Sequence, residues 1–352
     1  MHLSVLGGGA VAGLILASCS TSPGNGASST GTPKAGTAAT AVPEPTSTPL
    51  AGAGGAAALQ NAYVAVVQHV LPSVVQIETS QGLGSGIVYD TSGDIVTNNH
   101  VVEGATTFKV TASTGHQYTG SLVGSFPADD LAVIRVSGAS LTSASFGDSA
   151  KLLVGDIVMA IGNPLGLQSS VTAGIVSATG RTVSESNGVV LPDTIQTSAE
   201  INPGNSGGAL VDLAGEVVGI PTLAATDQQL GGAAPGIGFA IPSNIVTSIA
   251  GQLIKSGHVT HSGRAYLGVR IALTFGGNGA LISSVDSGSP AARAGLHAGD
   301  TITAVNGKAT SSPEAVTEAL AGLAPGNVAK VTAVGQDGSH RTVSVTLGEL
   351  PA

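Results

Sequence analysis

Between residues 59 and 350 the chain is a succession of short apolar runs rich in Val and Ile, broken every few residues by Gly, Asn, Asp or Ser. Runs of that length bounded by turn formers predict strands rather than long helices. The pattern places strands at 73–79, 83–90, 94–98, 106–112, 117–125 and 131–136. A second set falls at 156–161, 171–178, 193–198, 208–212, 215–223 and 236–241. Asp90-Thr91-Ser92-Gly93-Asp94 and Asp212-Leu213-Ala214-Gly215 read as hairpin turns. Two sets of about six strands suggest two packed barrels, with no sequence repeat relating them. A helix is expected at 59–70, ended by Pro72, and another at 243–256. A smaller domain follows at 262–350, with strands near 266–271, 280–285, 300–305, 328–334 and 340–347 and short helices at 290–294 and 312–322.

The first 58 residues break this pattern. Val5 to Ala17 is apolar or small, and its 13 residues are too few for a comfortable membrane span. The run ends in Leu16-Ala17-Ser18-Cys19, which contains the only cysteine of the chain. That run resembles the lipobox of bacterial lipoproteins, in which a signal peptidase cuts before the cysteine and the thiol carries a diacylglycerol. Residues 1–18 are therefore expected to be a signal peptide and Cys19 a lipidation site. No Lys or Arg precedes Lys34, whereas a secretory segment normally begins positive. An ordinary signal peptide or a retained anchor remains the alternative. Each option puts the rest of the protein outside the cytoplasm, and lipidation would hold it on the outer face of the bacterial cell membrane.

Residues 19–58 read as a disordered linker. Of the 39 residues from 20 to 58, 34 are Pro, Ser, Thr, Gly or Ala. Such a segment buries too little apolar surface to offset its ordering entropy. As a flexible coil it spans about 35 Å.

Composition narrows the function classes. Hydrophobic residues make up 42% of the 352, so a wholly disordered chain is excluded, while 3% aromatics and no Trp leave the core to Val, Ile, Leu and Ala. One cysteine excludes an internal disulfide framework and a cysteine-based zinc site. The net charge is −9 and concentrated, with 5 basic and 14 acidic side chains in 59–255 against 6 and 6 in 256–352. Nothing supplies the cationic patch that nucleic-acid binding requires. Gly7-Gly8-Gly9 and Gly13 mimic a dinucleotide fingerprint, but no strand precedes them and no βαβ unit follows.

Three stretches carry candidate chemistry. Thr97-Asn98-Asn99-His100-Val101-Val102 presents a histidine where a strand ends. Asp129-Asp130-Leu131-Ala132-Val133 opens a buried strand with an acidic pair. Asn202-Pro203-Gly204-Asn205-Ser206-Gly207-Gly208 sets a serine in a glycine-rich bend. A serine hydroxyl is a poor nucleophile and needs an adjacent base, and histidine has the pKa for that task. A buried carboxylate fixes the tautomer of the histidine and stabilises the imidazolium. Glycines around the serine let backbone N–H groups converge on one point as an oxyanion hole. The order His, Asp, Ser on an all-β background is the chymotrypsin order. Gly204-Asn205-Ser206-Gly207-Gly208 also fits the nucleophile elbow of α/β-hydrolases, but a strand rather than a helix follows it. Each residue alone has a plainer reading: a loop histidine, a turn-capping aspartate, a bend serine. Their combination favours catalysis.

At these residues the chain resembles the HtrA (Deg) family of trypsin-like serine proteases. The motifs TNNHVV, DLAV, INPGNSGGAL and GIGFAIP carry the likeness, which extends from about 70 to 350. The resemblance implies a mostly β fold, with a chymotrypsin/trypsin-like double β-barrel protease domain over 59–256 followed by a PDZ domain over 262–350. It implies His100 as general base, Asp130 as its orienting partner and Ser206 as nucleophile. Asp130 is chosen over Asp129 because the family's aspartate directly precedes the Leu-Ala-Val run. The backbone N–H groups of Gly204 and Ser206 would form the oxyanion hole, with Asn205 between them. Tyr266-Leu267-Gly268-Val269 resembles the carboxylate-binding loop of a PDZ domain, and the run from Ser289 to Leu296 supports it.

Two positions depart from the family pattern. Ser198 stands where the family usually has Asp, and Glu200 where it commonly has a small residue. Glu200 lies six residues before Ser206, where trypsin-like proteases place the floor of the specificity pocket, so a carboxylate there would admit basic side chains. His69, His258 and His261 lack the neighbours of a metal site. The resemblance implies an ATP-independent serine endopeptidase, without metal or cofactor, that cleaves misfolded or unfolded proteins in the cell envelope. C-terminal peptides would bind its PDZ domain, and a homo-oligomer, commonly a trimer, would be built through the protease domain. The competing reading is a latent or chaperone-like protein that holds substrates rather than cutting them.

Overall fold

The structure is a computed structural model that describes residues 53–351, apart from 81, 139, 164–169, 185–188, 203, 228–231 and 273–278. The expected signal peptide, Cys19 and most of the linker lie outside the described residues. The rest forms one compact unit from Gly52 onward. One boundary is corrected at its start. Helix α1 runs Ala53–Val70, so residues 53–58, expected as linker, are its first turns. Alanines that look like linker are also the best helix formers, and they extend a helix whose Val66 and Val70 are anchored in the core. Among the described residues no helix is long and apolar enough to cross a membrane.

The expected strands form two closed barrels. The first contains β1 (Val74–Glu78), β2 (Leu83–Val88), β3 (Asp94–Thr97), β4 (Thr107–Thr111), β5 (Gln117–Phe126) and β6 (Leu131–Val136), in ring order β1-β2-β3-β6-β5-β4. The second contains β7 (Ile157–Gly162), β8 (Ser170–Ser184), β9 (Val190–Thr197), β10 (Ala209–Val211), β11 (Val217–Asp227) and β12 (Gly232–Pro242), in ring order β10-β11-β12-β9-β8-β7. Strands β8, β9, β11 and β12 reach beyond the expected limits. Bulges shift the β8–β9 register three times, between Val176 and Val183, and so hide the alternation that would reveal the hairpin.

Side-chain alternation explains why several strands read as unbroken apolar runs. In β6, Ala132, Ile134 and Val136 point into the first barrel, while Leu131 and Val133 point out of it. In β7, Val158 and Ala160 fill the second barrel, while Met159 and Ile161 point out. The outward sets meet in one core between the barrels, joined by Val66 and Val70 of α1 and by Val246, Ile249 and Leu253 of α3 (Ser243–Ser256). Both faces of these strands are buried, which selects apolar residues on both, Val and Ile foremost.

The last part has its own core, including Ile282, Leu296, Ile302, Val316 and Val331. Its strands are β13 (Ala265–Tyr266), β14 (Val269–Ala272), β15 (Ala280–Val285), β16 (Thr301–Val305), β17 (Lys308–Ala309), β18 (Val328–Val334), β19 (His340–Thr346) and β20 (Gly348–Glu349). The main sheet runs β14-β15-β16-β18-β19, so β14 is an edge, and β13 pairs separately with β20. Helices α4 (Pro290–Arg293) and α5 (Pro313–Ala321) start with capping serines. Ser289 Oγ accepts from Ala292 N–H and Ser312 Oγ from Ala315 N–H, both at 3.2 Å.

Candidate active site

The histidine sits one turn beyond β3, on the short helix α2 (Asn99–Val102). Asp130 organises that turn. Its carbonyl accepts from Asn98 Nδ2 and from Asn99 N–H, both at 3.0 Å, and its Oδ1 accepts from His100 N–H at 2.9 Å. The other oxygen, Oδ2, lies 2.8 Å from His100 Nδ1. The carboxylate is 2% exposed and the imidazole 35%. One end of the ring is thus gripped inside the protein and the rest faces outward. An imidazole whose Nδ1 donates to a carboxylate is held in the tautomer that leaves Nε2 basic.

The two neighbouring aspartates part company. A single turn of 3₁₀ helix at Pro127–Asp129 leads into Asp130, whose φ of +50° is left-handed, a region Asp tolerates better than most residues. Across that reversal Asp130 turns toward His100 while Asp129 turns away. Asp129 Oδ1 receives Arg264 at 2.7 Å, and the same guanidinium donates to the carbonyls of Ala128 and Val190. Burial raises the Asp129 carboxyl above its ordinary pKa, opposed by the charge and hydrogen bond of Arg264.

The second barrel contributes the serine. Ser206 lies on the turn before β10, and its Oγ donates to the carbonyl of Thr222 on β11 at 3.1 Å. The hydroxyl of Thr222 donates to Asp130 Oδ2 at 2.7 Å. Thr222 therefore joins the serine turn to the buried carboxylate across the barrel interface. Sequence reading missed it, and its only signal was a buried hydroxyl inside the apolar run Ile220-Pro221-Thr222-Leu223. Asn205 is buried, and its N–H closes back onto Asn202 O at 3.0 Å. Gly207 (φ +79°) admits no side chain, because a Cβ there would lie 2.2 Å from the carbonyl oxygen of Ser85 on β2.

Glu200 is exposed, and its carbonyl accepts from Thr172 Oγ1 at 2.7 Å. Ser198 Oγ accepts from Ile175 N–H at 3.0 Å, tying the strand before the site to β8. Far from the serine, the run Tyr266-Leu267-Gly268-Val269 forms a break between β13 and β14. Gly268 makes that break (φ +81°), and a Cβ on it would meet Ser289 at 2.2 Å. The Tyr266 hydroxyl donates to Asp286 Oδ2, and this hydrogen bond to a carboxylate is the main cause that pushes the phenol up to about 12. Between this loop, β14 and α5 lies a groove of about 220 Å³ lined by Leu267, Ile271, Val316, Leu320 and Leu323.

Comparisons with known proteins match the two halves separately. The family description "Trypsin-like peptidase domain" matches residues 84–220, which include His100, Asp130 and Ser206, and "PDZ domain" matches residues 281–330. A probable periplasmic serine endoprotease, DegP-like, of Chlamydia muridarum is 41% identical over 279 residues, 76% of this chain and 54% of that protein. The serine protease PepD of Mycobacterium tuberculosis is 41% identical over 306 residues, 81% of this chain and 65% of the relative. The chain thus spans about half the length of the DegP-like relative. Among solved structures, the HtrA-type protease AlgW with decapeptide aligns at a TM-score of 0.57 and 31% identity, over 82% of this chain and 99% of that one. The serine endoprotease from Yersinia pestis aligns at 0.56 and 35%, over 82% and 98%.

Proposed function

The chain belongs to the HtrA family of serine proteases, and on that footing we propose that it is an ATP-independent serine endopeptidase cleaving misfolded or unfolded proteins in the cell envelope. The observation that carries this reading is the hydrogen-bonded path His100–Asp130–Thr222–Ser206 across the barrel interface. In the proposed mechanism His100 takes the proton of Ser206 as its Oγ attacks the peptide carbonyl. The imidazolium then protonates the leaving amine, and water resolves the acyl-enzyme by the reverse path. Asp130 holds the ring and offsets its charge. The N–H groups of Gly204 and Ser206 donate to the developing oxyanion, each worth about 3–4 kcal/mol of barrier. No metal or organic cofactor takes part.

The Tyr266–Val269 loop is proposed to clasp the carboxylate of a C-terminal peptide, whose strand adds to the edge of β14 and whose last side chain enters the apolar groove. The periplasmic names of the relatives support an extracytoplasmic site of action. Lipidation at Cys19 would anchor the protein to the outer face of the membrane, and a Cys19→Ser change is expected to release it into the soluble fraction. Glu200 is proposed to favour basic side chains in the specificity pocket. An unchanged cleavage-site profile in Glu200→Ala would reject that role. A trimer is the expected oligomer, to be read by sedimentation.

The deciding experiment gives the full chain an unfolded protein substrate and compares wild type with Ser206→Ala. Cleavage by wild type alone is the expected result, and equal cleavage by both sinks the serine mechanism. The hydrogen bond from Ser206 to the Thr222 carbonyl favours a second reading, a resting or substrate-holding protein whose serine hydroxyl proton is committed to Thr222. Wild type that cleaves only after addition of a hydrophobic C-terminal peptide would support that reading.

A further inference from the structure

We infer that Ser85, on β2 of the first barrel, is a positioning residue for the oxyanion-binding turn of the second, an inference that rests on the serine-protease reading above. Its side chain is completely buried. The Ser85 hydroxyl donates to the carbonyl of Gly204 at 2.5 Å, and its oxygen accepts from Asn163 N–H at 2.8 Å. Because the Asn163 N–H occupies the oxygen from one side, the hydroxyl proton is directed at Gly204. The backbone N–H of Ser85 donates to the carbonyl of Ser206 at 3.0 Å. One residue therefore grips the nucleophile turn twice, two residues apart. Thr97 Oγ1, donating to the Ser85 carbonyl at 2.7 Å, fixes Ser85 in turn.

The grip matters because of what it holds. Gly204 has φ +102°, where no Cβ limits rotation. A carbonyl shares its peptide plane with the N–H of the next residue, so Ser85, by holding the carbonyls of Gly204 and Ser206, fixes the two planes that flank the one bearing the Ser206 N–H. The carbonyl of Asn205 is taken by Gly208 N–H at 2.9 Å, so all three carbonyls of Gly204, Asn205 and Ser206 are held by donors. Preorganised N–H donors stabilise charge in the transition state because they need no reorganisation when it forms. Ser85 contributes to that preorganisation from the opposite barrel by holding the planes on either side of the Ser206 N–H, without touching substrate.

A buried serine that merely satisfies its neighbours would affect stability alone. The test therefore reads transition-state binding in the full chain, with a hydrophobic C-terminal peptide present throughout. Wild type, Ser206→Ala, Ser85→Ala and the near-isosteric Ser85→Cys are compared in cleavage of a peptide substrate and in affinity for a peptidyl boronate, whose tetrahedral adduct on Ser206 puts an oxygen in the hole. Ser85→Ala is expected to lower kcat about 10- to 100-fold with KM within about twofold. Boronate affinity should fall in parallel with kcat/KM. The pH profile should stay that of wild type, because the His100–Asp130 pair is untouched, and Ser85→Cys should fall between. Unchanged kcat and boronate affinity in either folded variant overturns the inference while leaving the protease reading intact. Neither variant folding overturns it too, since Ser85 is then a core polar group. Wild type indistinguishable from Ser206→Ala in both assays removes the protease reading and this inference together.

Discussion

The two barrels share one ring order, β1-β2-β3-β6-β5-β4 in the first and its equivalent in the second, yet they contribute different kinds of chemistry. The first supplies side chains, His100 and Asp130, held by short strands and a one-turn helix whose hydrogen bonds converge on a single residue, Asp130. The second supplies the Ser206 hydroxyl and, around it, backbone: a turn containing Gly204, Gly207 and Gly208, and long hairpins such as the 15-residue β8 with its repeated bulges. Identical topology therefore does not imply identical chemistry. The general base and its carboxylate come from the first barrel, and the serine with the N–H donors beside it comes from a glycine-rich turn of the second. Ser85 and Thr222 cross between them in opposite directions, each binding one barrel's contribution to the other.

The largest expected effect strikes the first barrel. Asp130→Asn keeps the left-handed turn, because Asn also tolerates positive φ, but presents the wrong partner to His100 Nδ1. A fall in kcat of about 10,000-fold is expected. Its neighbour gives the contrast. Asp129→Ala leaves Arg264 without its carboxylate and is expected to cost about 3 kcal/mol in denaturant unfolding, with cleavage by the folded protein near wild type. A comparable loss of kcat in both variants would mean that the two aspartates are not separated by the reversal at Asp130.

The link between the barrels comes next. Thr222→Val removes one hydrogen bond to an ionised carboxylate and is expected to lower kcat about tenfold, with Thr222→Ser near wild type. A Val variant as active as wild type would show that the crossing contact only packs.

The smallest effect lies outside both barrels. The Tyr266 phenol is pushed up to about 12, above an ordinary tyrosine, chiefly because its hydroxyl donates a hydrogen bond to the Asp286 carboxylate. The raised folded pKa means that this hydrogen bond contributes its stability fully below about pH 10 and loses it as pH rises from there toward 12. With no Trp and only 4 Tyr, of which Tyr89 is also raised by burial, the difference in tyrosinate absorbance between wild type and Tyr266→Phe isolates the late step, which the variant should lose. Persistence of that step in Tyr266→Phe would assign it to another tyrosine.

Most of this architecture was legible in the sequence because burial on both strand faces writes Val and Ile densely between turn residues. All twelve barrel strands appear at the expected places, some longer, and Asp130 rather than Asp129 faces His100. What escaped was written in the same alphabet with another meaning. Ala53–Ala58 looked like linker because alanine serves both a tether and a helix. Ser85 and Thr222 sit inside strands, where a lone hydroxyl has no periodic signature and acquires its role only when the second barrel closes against the first.

The closure of both rings has a consequence for the company such a protein keeps. Where a sheet ends on itself it offers no unpaired ladder of N–H and C=O groups to a passing chain, so extended, sticky polypeptides gain no template for growth on the closed part of either barrel. The main sheet of the last domain stays open, with edges at β14 and β19, and β14 lies beside a groove walled by α5. Closure thereby limits coaggregation at the barrels, while at β14 the neighbouring groove can screen what pairs with an open edge.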